Sequence, residues 1–278
     1  MQFMALTIDI GNKTLFISFR GTDDTLVGWK EDFMMSVLDV VPSQREGLRY
    51  FNNVADLNPE HKLYLGGHSK GGNVAVYAGI YSKIKNKSRI VKIYNNDGPG
   101  FRETLIETKN YLSIADKIVT FVPQSSIIGM LLEHEENYQV IQSSQKGIMQ
   151  HDGFRWEVCG NSFIYLKSVT KESIIDDKAI KNFLNGISVE RREEFTNALF
   201  EILSAREFTT LTDIRDGRWK AFTSMKKAYD ALDAEIKKAV KKTVSILINE
   251  SMRSIIKVNH SDEWKGKFPK LVFTKKKV

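Results

Sequence analysis

Along the first 168 residues, short apolar runs alternate with stretches in which apolar positions recur every three or four residues. That alternation predicts repeated βα units. Residues 5–10 and 14–19 read as strands joined by Gly11-Asn12-Lys13, a hairpin-like connection. Residues 62–66, 90–95, 117–122 and 138–142 are further strands, and 158–165 reads either as a strand or as a loop. The intervening segments 28–36, 44–57, 71–85 and 101–110 carry the helical period. An α/β architecture with a mostly parallel sheet flanked by helices is the expected outcome.

From about residue 170 the strand signal disappears, and 179–186, 190–206 and 219–258 read as helices. In the last of these, Phe222, Met225, Tyr229, Leu232, Ile236, Ala239, Leu247, Met252 and Ile256 form one stripe, with most lysines off it. Such a stripe is expected to pack on neighbouring helices. A homodimer through the C-terminal helices and a peripheral membrane contact are the alternatives. The predicted organisation is therefore an α/β core over 1–168 and a helical extension over 169–278.

Composition narrows this only slightly. A chain of 278 residues that is 42% apolar and 27% charged can hold one sizeable core with an appendage. A single cysteine, Cys159, excludes an internal disulfide framework and fits a reducing, cytoplasmic setting. No apolar run approaches the roughly 20 residues that span a bilayer, and the first ten residues lack the pattern of a signal peptide. The net charge of +7 comes from dispersed lysines, denser toward the end, with no nucleic-acid-reading motif beside them. No nucleic acid partner is expected.

The chemistry concentrates in Leu63-Tyr-Leu-Gly-Gly-His-Ser-Lys-Gly-Gly-Asn-Val-Ala-Val-Tyr77, which contains the G-x-S-x-G pattern Gly67-His68-Ser69-Lys70-Gly71. An apolar strand precedes it and a helix-forming run follows. A serine on so sharp a strand-to-helix turn is forced into a strained backbone, with its hydroxyl lifted above the sheet. Bulky residues two positions away on either side would clash, hence Gly67 and Gly71. The N–H of Lys70 then becomes an oxyanion donor, helped by the positive end of the helix. Upstream, the strand ending in Phe19-Arg20-Gly21-Thr22 is suited to deliver a second donor from Thr22. On its own Arg20-Gly21-Thr22 is equally a plain turn; beside the serine turn it gains weight.

These segments, with Trp29 and Asp32, resemble the class 3 (fungal-type) lipases of the α/β-hydrolase superfamily. The likeness is closer still to the bacterial Mbeg-like family, carried by Gly28-Trp29-Lys30-Glu31-Asp32, Gly67-His68-Ser69-Lys70-Gly71-Gly72-Asn73, Asn96-Asp97-Gly98-Pro99-Gly100-Phe101 and His151-Asp152. The resemblance covers roughly residues 5–168 and implies an α/β-hydrolase core and hydrolysis of carboxylic, including lipid acyl, esters. Such families usually carry a helical segment before the F-R-G-T strand, which here lies almost at Met1, so the resemblance implies a shortened N-terminus.

In this fold the triad runs serine, acid, histidine along the chain. Downstream of Ser69 stand His134, His151 and His260. His134, in a charged run, reads as solvated, and His260 lies beyond the helical extension. His151, a short loop after the 138–142 strand, is the expected base. Asp97, closing the 90–95 strand, is the preferred acid, although Gly98-Pro99 beside it would also suit a simple turn cap. Asp152 sits too near His151 in sequence, and Asp116 lies at the wrong end of its strand. Failing Asp97, a dyad remains, with Ser125, Ser126 or a carbonyl orienting the ring. Lys70, beside the nucleophile, is a possible handle for an anionic substrate. No metal-ligand spacing and no nucleotide-binding pattern occurs, so no cofactor is expected. The rival to an enzyme is a hydrolase-fold binding or scaffold module with a broken triad.

Overall fold

A computed structural model of the chain describes residues 2–23, 25–126, 128–134, 136–171, 173–175 and 188–204, with short stretches at 209–210, 229–230, 232–234 and 236–237. Its centre is built from β1 (Ala5–Asp9), β2 (Thr14–Phe19), β3 (Lys62–His68), β4 (Ile90–Asn96), β5 (Ile118–Pro123) and β6 (Tyr138–Ile141). Two two-residue strands, β7 (Val158–Cys159) and β8 (Ser162–Phe163), form a separate hairpin, and β9 (Tyr165–Leu166) follows. The main sheet has seven strands in the order β1-β2-β3-β4-β5-β6-β9. Strands β2 to β6 are parallel, and β1 and β9 run antiparallel at the edges. The fold is thus the α/β architecture that the alternating pattern predicts.

The strand alternation decides which face meets which layer. Leu15, Ile17 and Phe19 of β2 and Leu63 and Leu65 of β3 point to one face, where they are buried. Helices α2 (Pro42–Leu57) and α3 (Lys70–Tyr81) pack there. They cross closely at Gly47, where a Cβ would lie 2.3 Å from Val74 Cγ1. The opposite face carries Phe16, Tyr64, Tyr94 and Phe121, whose rings stack at 6.4–6.5 Å, Phe16 reaching Tyr94 over Gly66 of β3. The helical layer therefore holds α3, and the helix start that carries Ser69, against the middle of the sheet.

Helix α1 (Leu26–Met34) starts at Thr25, whose hydroxyl accepts from Gly28 N at 3.2 Å. The predicted 71–85 helix is divided: α3 stops at Ser82, which turns to extended backbone and donates its hydroxyl to Gly79 O, and α4 (Ile84–Lys87) follows. The predicted 101–110 helix is replaced by α5 (Glu103–Ile106) and α6 (Lys109–Leu112). Phe101 is drawn into a bridge with Glu133, and Thr108 caps α6 by accepting from Tyr111 N. Segment 158–165 is neither a full strand nor a loop but the β7–β8 hairpin running toward β9.

The expected 190–206 helix is present as α7 (Val189–Leu203). Phe195, Leu199, Ile202 and Leu203 bury its inner face with Leu26 of α1, and Phe33 meets Phe200 edge-on at 5.5 Å. The predicted helix 179–186, and nearly all of 219–258, lie outside the described residues. No described helix is long and apolar enough to cross a membrane.

Candidate active site

Strand β3 ends at His68 and α3 begins at Lys70, so Ser69 alone makes the turn. Its backbone sits at φ 58°, ψ −133°, a region that only glycine adopts freely. The neighbouring backbones close in around it. A Cβ on Gly67 would lie 2.3 Å from Gly71 C, and one on Gly71 would lie 2.1 Å from Phe19 O. The glycine spacing is thus a steric requirement of this crossing. Ser69 N donates to Asn96 O at 2.9 Å, which ties the turn to the end of β4.

That strand end supplies the next group. Asp97 follows β4 with φ 51° and is fully buried. Its Oδ2 lies 2.7 Å from His151 Nδ1, and its Oδ1 accepts from Ser126 Oγ at 2.5 Å. Ser126 in turn accepts from Gly129 N at 3.0 Å. The carboxylate therefore keeps a partner on each oxygen, and the imidazole is fixed with Nδ1 toward the acid. His151 closes a 3-10 turn, Gly147–His151, and its ring lies 4.4 Å from that of His68, the neighbour of Ser69. Among the described residues, no hydrogen bond joins Ser69 Oγ to His151. Such bonds often tighten only when substrate is bound.

Around Thr22 the loop after β2 leans on the serine turn: a Cβ on Gly21 would lie 2.5 Å from His68 O and 3.2 Å from Ser69 Cβ. Thr22 Oγ1 donates to Asp32 Oδ2 at 2.6 Å. Burial pushes the Asp32 carboxyl up to about 6, against the pull of Lys70 and the Thr22 bond. With the hydroxyl proton engaged by Asp32, the backbone N–H is the group Thr22 has to offer. The N–H of Lys70 opens α3, where no intrahelical acceptor exists for it.

The Lys70 side chain overturns the expectation of a handle for anionic substrates. It is fully buried, 3.2 Å from Glu31 Oε2, 3.7 Å from Asp32 Oδ1 and 3.4 Å from Gln2 Oε1. The cation is consumed in joining α3 to α1. His134 is a second correction. Far from solvated, its side chain is nine-tenths buried, with Nδ1 3.1 Å from Glu136 Oε1 and Nε2 2.9 Å from Gly129 O. Glu136 also accepts from Tyr111 and from Thr120, so the charged run folds inward behind the acid. Burial would raise Glu136, but these bonds outweigh it and hold its carboxyl down at about 2.

The remaining candidates fall away from the site. Ser126 touches the acid, not the imidazole, and Ser125 bonds Gln150 and Thr170. Asp152 caps the turn Gly153–Arg155 by accepting from Phe154 N. Asp116 stands before β5, where its carbonyl accepts from Lys92. His260 lies outside the described residues. Among those residues, no group of three His, Cys, Asp or Glu side chains is arranged to hold a metal ion.

A mostly parallel sheet carries a strained serine between strand and helix and a buried aspartate just after the next strand, and this is an α/β fold of lipase-like arrangement. The chain belongs to the Mbeg1-like family, whose model matches residues 1–201. Among solved structures it is similar to a fungal lipase in complex with an inhibitor, at 15% identity and a TM-score of 0.40. That match covers 51% of this chain and 62% of the lipase chain. No protein of curated function matches.

Proposed function

We propose that the protein is a serine hydrolase that cleaves carboxylic esters, lipid acyl esters among them, through an acyl-serine intermediate. The observation that carries this reading is the combination of a strained Ser69 turn with a His151–Asp97 pair 2.7 Å apart beside it. Ser69 Oγ attacks the ester carbonyl while His151 Nε2 takes its proton. Asp97 stabilises the imidazolium that forms. The N–H groups of Thr22 and Lys70 receive the charge on the tetrahedral oxygen, and losing one such donor costs roughly 10²–10³ in turnover. The proton then passes to the leaving alcohol, and water, activated by the same imidazole, releases the acid. No cofactor enters this sequence.

A fluorophosphonate probe tests it. Wild-type protein is expected to label and Ser69→Ala is not; labelling that persists in the variant would reject Ser69 as nucleophile. The missing Ser69–His151 hydrogen bond favours a second reading, a binding module that keeps the fold without turnover. Folded wild-type protein that neither labels nor cleaves p-nitrophenyl esters would support it.

A further inference from the structure

Asp97 fixes the His151 ring through Nδ1, but the backbone that carries this ring has little regular support. Residues 147–155 form two consecutive 3-10 turns, Gly147–His151 and Gly153–Arg155, outside the main sheet. At its end the loop is held by a backbone bond, Ser144 N donating to Arg155 O at 3.0 Å, and nearer His151 its anchors are side chains. Ser125 N donates to Gln150 Oε1 at 2.9 Å, and Trp156 Nε1 donates to Gln150 O at 2.9 Å. A third anchor reaches the base itself: His68 Nε2 lies 2.5 Å from His151 O, across 83 positions of sequence. A carbonyl oxygen only accepts, so Nε2 of His68 must carry a proton.

We infer that His68 is a positioning residue for the base: its Nε2–H clamps the His151 backbone while its ring, 4.4 Å away, limits the tilt of the imidazole. The inference rests on the triad reading given above. His68 stands directly before the nucleophile, and from the end of β3 it couples the strand that presents Ser69 to the loop that presents its base. Trp156, edge-on at 6.2 Å, closes the outer side of the His68 ring. The groups that act electrostatically on His68 are His151, Asp97 and Asp152. Burial, followed by the neighbouring His151, pushes His68 below the usual imidazole range, and a neutral ring there leaves His151 free to become the cation during turnover. Because Ser69 and His151 are not already hydrogen-bonded, the reach of the base depends on how firmly this loop is held.

Three variants and one spectrum decide the matter. His68→Phe keeps a ring but removes the donor, and is expected to lower kcat and the fluorophosphonate inactivation rate by about 10–100-fold with KM nearly unchanged. His68→Gln, whose amide nitrogen can reach the same carbonyl, is expected to recover most of that loss, and His68→Ala is not. Long-range proton–nitrogen spectra of the wild-type histidines near neutral pH are expected to report His68 as the neutral Nε2–H form. A full rate in His68→Phe, no recovery in His68→Gln, or an Nδ1–H form of His68 would each overturn the inference. Wild-type protein that fails to label sinks the hydrolase reading instead, and the spectrum still decides whether His68 holds the His151 carbonyl.

Discussion

Asp97 combines a buried carboxylate, a left-handed backbone at φ 51° and a partner on each oxygen. Aspartate is among the few non-glycine residues found readily in that region, so the turn before Gly98-Pro99 and the contact with His151 are one requirement. Asp97→Asn keeps the shape but offers the wrong tautomer of His151 a partner. It is expected to lower kcat by about 10⁴ with the melting temperature little changed, measurable on a p-nitrophenyl ester. The place of Asp97 just after β4 was legible, because the apolar run 90–95 ends beside it. His134 was not. Its partners come from Gly129, in its own loop, and from Glu136, which is itself held by Tyr111 of α6 and Thr120 of β5. Three elements meet there, and no spacing along the chain announces that they do.

Between elements, the Lys70–Glu31 pair joins the start of α3 to α1 in the interior, with Asp32 beside it. Removing one partner of a buried pair leaves an uncompensated charge, at a cost of about 3–5 kcal/mol. Lys70→Met is therefore expected to lower stability by that order in urea unfolding, and adding Glu31→Gln is expected to restore part of it. A lysine in the serine turn gives no hint, as sequence, that it points backward into a salt bridge. The main strands were legible because they depend on apolar runs bounded by turn residues. The late start of α5 at Glu103 was not, because Phe101 pairs instead with Glu133, 32 positions further on.

For the whole molecule, two buried carboxyls give stability opposite dependences on pH. Asp32 holds its proton up to about 6, whereas its ordinary value is 3.8. The folded state then binds a proton that the unfolded chain has released, so this contribution falls as pH rises from about 4 to about 6. Glu136 is shifted the other way, from 4.5 to about 2, so its contribution is present above 4.5 and lost as pH falls toward 2. Melting temperature is expected to fall as pH drops below about 4.5, through Glu136, and to fall also as pH rises toward about 6, through Asp32. Asp32→Asn is expected to flatten the upper slope alone.

The backbone of Ser69 carries a cost that the rest of the fold sustains. At φ 58°, ψ −133° a serine is held where its own Cβ is unwelcome, at about 1–3 kcal/mol. Ser69→Gly is therefore expected to give a protein that unfolds at a higher temperature than the wild type and reacts with no ester at all. Heat tolerance and reactivity would then be opposed at this single residue, and a selection for thermal robustness alone would tend to discard the hydroxyl first.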